Sequence, residues 1–259
     1  MTPATLDLGR PRSGRELLRT ALTVWTADLG TFLAIGAGVV VTVDVIMGIG
    51  LGQISGRYRS NPGTGPLVIE QAISTFVTTP LITAMLVSAL LAIGAGRAPS
   101  IRTAVSSGLD AFAPVLVAVA IYIAGVIGGL SLFVVPGVIV YVSWYFVTQA
   151  VVVDGARGLR AVARSAELVR GSWRRVFVIV LAIHLLIGIP SYLVGLAVSE
   201  AARSANSAAV ELAGLMVVDS FAISLQALAG TLLYFDLRAR RQSREQPAGP
   251  GSPQTPQAP

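Results

Sequence analysis

The chain has 259 residues, of which 54% are hydrophobic and 12% charged; it has no cysteine and a net charge of +6. A soluble domain carries about 25% charged residues, so this composition excludes an ordinary water-facing surface. The lack of cysteine excludes disulfides, zinc–thiolate sites and thiol nucleophiles.

In chain order, residues 1–14 read as a flexible N-terminus. The first apolar segment lies too far from the start, and is too long, for a cleavable signal. A helix crossing the ~30 Å hydrocarbon core needs about 20 mostly apolar residues, because backbone groups find no water there. Such stretches fall at about 29–51, 71–96, 111–134, 136–153, 176–199 and 212–235. The third and fourth come from one uncharged run, Ala111 to Val153, divided at Val135-Pro136-Gly137, where proline removes a backbone donor. The fold class is therefore all-α: a polytopic bundle of six transmembrane helices within residues 15–241, with amphipathic interfacial helices.

Every basic residue is an arginine. With six spans, one side holds Arg10, Arg12, Arg15, Arg19, Arg97, Arg102, Arg157, Arg160, Arg164, Arg170, Arg174, Arg175, Arg238, Arg240, Arg241 and Arg244. The other keeps Arg57, Arg59 and Arg203. Short cytoplasmic loops retain positive charge, so both termini are expected in the cytoplasm. The same distribution argues for lipid, not nucleic acid, as the partner of this charge. Anionic lipid at the cytoplasmic face is expected, with a protein partner or a second copy of the chain as further partners.

Segments before spans one, three and five look alike: Arg15-Glu-Leu-Leu-Arg19, Arg102-Thr-Ala-Val and Arg160-Ala-Val-Ala-Arg164. They read as a threefold unit of amphipathic helix plus hairpin. Over residues 158–170, Leu159, Val162, Ala163, Ala166 and Val169 share one face, with Arg160, Arg164 and Glu167 opposite and Leu168 off the apolar face. This helix either lies among headgroups or packs under the bundle as a connector. Residues 242–259 read as a disordered tail, with proline at every third position from Pro247 to Pro259.

An ionisable group inside the bilayer costs several kcal/mol unless it is paired, hydrated or neutralised. Asp44, Glu70 and Asp219, expected at similar depths, and the lone histidine His184 form a candidate intramembrane polar site. The structural alternative is carboxylates that snorkel or hydrogen-bond locally, and a histidine that joins two helices. Gly48/Gly52 and Gly125/Gly129 read as close helix approaches. No catalytic residue, metal site or cofactor is expected; nucleophile elbows, metal-binding His-Glu-x-x-His and phosphate loops are missing from the sequence.

Three runs carry a resemblance: Val135-Pro136-Gly137-Val138, Phe146 through Asp154-Gly155 to Arg164-Ser165 and Trp173-Arg174-Arg175, and Tyr234-Phe235-Asp236-Leu237-Arg238. They resemble an uncharacterised group of bacterial six-helix membrane proteins, similar to the membrane domain attached to some glycerophosphoryl diester phosphodiesterases. In those fused enzymes the chemistry belongs to a separate soluble barrel, which this sequence lacks, so the resemblance implies no phosphodiesterase activity. Asp154, Arg164, Ser165, Trp173, Tyr234, Asp236 and Arg238 are then interfacial structural residues, with at least one of the two aspartates paired to an arginine. Trp173 and Tyr234 are expected as interface anchors. Two functions stay open: a non-enzymatic scaffold or accessory module, or a transporter of a small solute or lipid using intramembrane carboxylates. An enzyme acting on lipid headgroups is a third.

Overall fold

The computed structural model describes residues 6–50 and 73–245, and among them there is no strand. Glu70, Gly52, Arg57, Arg59 and the proline tail beyond Glu245 lie outside the described residues. Six helical segments are long and apolar enough to cross a membrane: Leu29–Ile46, Ser74–Gly94, Ile101–Leu132, Val134–Asp154, Trp173–Ser204 and Ala209–Glu245. The all-α bundle expected from hydropathy is the fold observed.

α1 (Gly14–Ala27) starts from a capping box in which Ser13 and Glu16 satisfy each other's backbone N–H groups. Its Leu17, Ala21 and Trp25 form one buried face. α1 gives way at Asp28 to α2 (Leu29–Gly50), the first span. A π-helical turn, Ser74–Thr78, leads into α3 (Thr79–Gly94), and α4 (Ile101–Leu132) follows.

α4 meets α5 (Val134–Ser143) at Phe133, two residues before the expected break at Val135. Pro136 belongs to the first turn of α5, where no intrahelical donor is needed. Phe133, Val134 and Val135 form the exposed tip of this hairpin. The chain kinks again between α5 and α6 (Val147–Asp154). After α7 (Leu159–Val169), α8 (Trp173–Ile183) and α9 (Ile189–Ser204) form the fifth span around a second π-helical turn, His184–Gly188. α10 (Ala208–Glu245) is the sixth.

The two π-helical turns have one cause. A proline at i has no N–H for the carbonyl at i−4. Pro80 and Pro190 leave the carbonyls of Phe76 and Leu186 without that partner, and each falls inside a π-helical turn. Widening the helix there lets the chain continue across the membrane without a sharp break.

The core centres on α3 and α10, with Leu86, Leu90, Leu228, Leu232 and Leu233 sealed from the surface. Large apolar residues such as Val117, Ile127, Leu186, Leu193 and Val217 face outward along the spans. Soluble proteins seldom expose contiguous apolar surface on this scale, and hydrocarbon is the solvent that matches it. The chain is a multi-pass membrane protein.

Three expectations change. Residues 6–14, read as flexible, dock on the bundle: Arg12 is 5% exposed, and Leu8 packs against Gly94. Residues 101–110, read as a separate interfacial helix, are continuous with the third span. Only α1 and α7 remain as distinct leading helices, so the threefold unit is not repeated. Residues 242–245 continue α10 and do not begin a tail. The expected close approaches at Gly125 and Gly129 are present inside the bundle, where Gly125 faces the Trp144 ring and Gly129 faces the Gly137 backbone.

Candidate functional site

The polar residues gather at one end of the bundle, where α6, α8 and α10 meet the N-terminal segment. Asp236 lies in the last third of α10 with 0% exposure. It accepts hydrogen bonds from the Arg12 backbone N–H at 2.5 Å, Arg175 Nη2 at 3.0 Å and Arg240 Nε at 3.0 Å. Arg175 and Arg240 also donate to the Arg12 carbonyl, at 2.6 and 2.7 Å. A buried carboxylate is tolerable only when paired and hydrogen-bonded, and both conditions hold. The node ties the N-terminus, the fifth span and the sixth span together. It also places residue 12 and residues 236–240 at the same end of the bundle, as an even number of spans requires.

Asp154, the last residue of α6, makes a second node. It accepts from Arg164 Nε at 2.8 Å and Tyr234 Oη at 2.6 Å, and pairs with Arg238 at 3.1 Å. The bond to Asp154 raises the Arg164 guanidinium further above its already high pKa, so its charge is permanent. Both aspartates are thus paired with arginines. Tyr234, expected as an interface anchor, is instead a core residue at 1% exposure; its hydroxyl is satisfied by Asp154, so it has no need of headgroups. Trp173 is half-buried and stacks on Phe177, with centroids 5.4 Å apart.

Ser165 explains the kink in the fourth span. Its hydroxyl accepts from the Phe146 N–H at 3.1 Å and donates to the Ser143 carbonyl at 2.9 Å. These are backbone groups on either side of the break, which no helix turn satisfies there. Ser165 is fully buried, and Ala161, Val162, Leu168 and Val169 are buried with it. α7 is therefore a connector packed under the bundle. Its buried face is rotated from the expected one: Leu168 points in, while Leu159 and Ala163 are exposed.

By helix register, the described intramembrane candidates fall at different depths. Gly36 packs against the Ser220 carbonyl, where an added Cβ would sit 2.9 Å away, and this sets the register of α2 on α10. Asp219 adjoins that contact, while Asp44 is two turns further from the arginine-rich end. Roughly 10 Å of depth separates them, contrary to the similar depths expected. Gly188 faces Gln226, which places His184 roughly 15 Å from the Asp219 level, toward the arginine-rich end. His184 joins two helices instead. Its Nδ1 lies 2.8 Å from the Val180 carbonyl and its Nε2 3.2 Å from the Tyr141 hydroxyl. That geometry assigns the proton to Nδ1 and makes Nε2 the acceptor for tyrosine.

Sequence reasoning missed Arg12, Arg240 and Gln149. Arg12 precedes a helix cap, where an arginine normally faces water. Arg240 carries a weak signal, four residues after Asp236 on one helix face. Gln149 is buried beside Gly230, and its Oε1 has no partner among the described residues. Among the described residues no group of three or more His, Asp or Glu could hold a metal ion. No protein-family model matches the chain, and neither a curated protein nor a solved structure matches it.

Proposed function

We propose that the chain is a non-enzymatic scaffold or accessory module of the bacterial cytoplasmic membrane, with both termini and the arginine-rich end in the cytoplasm. The observation that carries this reading is the Asp236 node. It commits a sealed carboxylate and three arginines to holding three chain segments together at one end. Around it, Arg170, Arg174 and Arg244 are exposed and make no ion pair among the described residues. A fixed basic face at headgroup depth suits anionic lipid and an acidic segment of a protein partner. The resemblance to the phosphodiesterase membrane domain supports the same reading, because in those proteins the chemistry sits outside the membrane part. The transport alternative rested on carboxylates converging with His184, and the depths of Asp44, Asp219 and His184 give it little support.

The test is a photo-crosslinking residue placed at Arg174 or Arg244 in native membranes, with Arg203 as the control at the other end. The proposal expects one discrete protein adduct from positions 174 and 244 and none from 203. Reconstituted vesicles whose solute flux is lost in Asp44→Asn or Asp219→Asn would favour the transporter.

A further inference from the structure

A second feature at the arginine-rich end lies outside both carboxylate nodes. An open groove of about 670 Å³ runs between the ends of α3, α4 and α6. Its floor is one face of α4. Ser100, at the N-cap, and Thr103, Ser107, Asp110 and Pro114 line it at alternating spacings of three and four, with Ala111 beside Asp110; this spacing stacks side chains on a single helix face. The stripe is polar over its first three turns and apolar in its last.

Two arginines flank this stripe, each delivered by a left-handed glycine. Gly96, at φ +71°, ends α3 with paired 5→2 and 6→1 bonds: its N–H reaches Ile93 and the Arg97 N–H reaches Ala92, both at 2.9 Å. That closure throws Arg97 onto the rim. Gly155, at φ +65°, reverses the chain after α6 and brings Arg157 to the other rim. Val151 and Val152 of α6 and Leu91 and Ala92 of α3 supply apolar walls.

The polar groups of the groove are unspent. Among the described residues, Arg97, Arg157 and Asp110 make no ion pair, and the hydroxyls of Ser100, Thr103 and Ser107 make no hydrogen bond. Two guanidinium groups and three hydroxyl donors match the oxygens of a phosphodiester. One carboxylate beside them matches a cation carried on the same molecule. The apolar walls match acyl chain. A purely anionic headgroup would leave Asp110 opposed; a headgroup joining phosphate to a primary ammonium gives each charged side chain a partner of opposite sign.

We propose that this groove is a binding site for an amine-bearing phospholipid of the phosphatidylethanolamine type. Arg97 and Arg157 hold the phosphate, and Asp110 receives the ammonium. The assignment rests on reading the arginine-rich end as lying at headgroup depth. It does not depend on a protein partner, so failure of the crosslinking experiment above leaves it standing.

The test uses full-length protein in detergent, stripped of lipid and given equal phosphatidylethanolamine and phosphatidylglycerol of identical acyl chains, with retention counted by native mass spectrometry. The expected result is one tightly held phosphatidylethanolamine, preferred about tenfold, a preference worth one ion pair. Arg97→Gln with Arg157→Gln lowers that retention by about tenfold. Asp110→Asn brings the two lipids to parity. All three positions are exposed, and unchanged helical circular dichroism confirms that the variants fold. Equal retention of both lipids by the wild type, preference for phosphatidylglycerol, or indifference to the arginine pair overturns the proposal. Displacement of the lipid by inorganic phosphate alone also overturns it, since the site would then take a free anion.

Discussion

The hydroxyl of Tyr234 donates to Asp154 across 2.6 Å, joining the last turn of the fourth span to the sixth. The ring is sealed between Phe146 and Phe235, at centroid distances of 5.9 and 5.7 Å, so only the hydroxyl changes in Tyr234→Phe. A hydrogen bond to a charged group contributes about 1.5–3 kcal/mol, and Tyr234→Phe should lose about 2 kcal/mol in denaturant unfolding in micelles. In a double-mutant cycle with Asp154→Asn the two losses should be less than additive. Additive losses would show that the contact carries no coupling.

Asp236 should be the costliest single polar residue. Asp236→Ala strands Arg175, Arg240 and the Arg12 N–H together, and breaking a buried pair costs about 3 kcal/mol or more. Asp236→Asn keeps an acceptor for Arg12 and should cost less. Proteolysis between residues 6 and 13 should accelerate strongly in Asp236→Ala, where the N-terminal segment loses its anchor, and less in Asp236→Asn. Unchanged cleavage would show that Leu8 against Gly94 holds the segment unaided.

Ser165→Ala removes one atom and leaves two backbone groups unpaired at the kink. The expected loss is about 1–3 kcal/mol, with faster amide exchange at Phe146. Exchange that stays slow would mean another group takes over the cap.

At the hairpin between α4 and α5, Gly129→Ala should destabilise by about 1–3 kcal/mol through overpacking, because its Cβ would lie 2.9 Å from the Gly137 Cα. Gly128→Ala, one residue earlier, meets nothing within 4 Å and should be neutral. Thermal unfolding of the two variants side by side separates packing from helix propensity.

The spans were legible because their signal is additive: each depends on some twenty apolar residues, and no single neighbour can overturn it. The pairing of Asp154 and Asp236 was legible too, since a carboxylate at the membrane edge among arginines has few other partners. What failed depended on contacts across the fold. The expected apolar face of α7 ran through Ala163 and Ala166 and left out Leu168; the buried role of Ser165 exists only because the fourth span breaks beside it. Tyr234 carried the same ambiguity, since a tyrosine at that depth can face headgroups or a buried carboxylate. The α4 stripe was hidden because residues 101–110 read as a helix of their own, which dissociated Thr103, Ser107 and Asp110 from Ala111 and Pro114.

The central claim is that six spans place both chain ends and the carboxylate nodes on one face. The absence of native cysteine makes single-cysteine labelling direct. Arg10→Cys, Arg170→Cys, Arg203→Cys and Arg244→Cys should be treated with a membrane-impermeant maleimide on intact cells and after permeabilisation. The account predicts labelling of position 203 alone in intact cells, with 10, 170 and 244 reacting only once the membrane is opened. Labelling of positions 10 and 244 from opposite faces would contradict it.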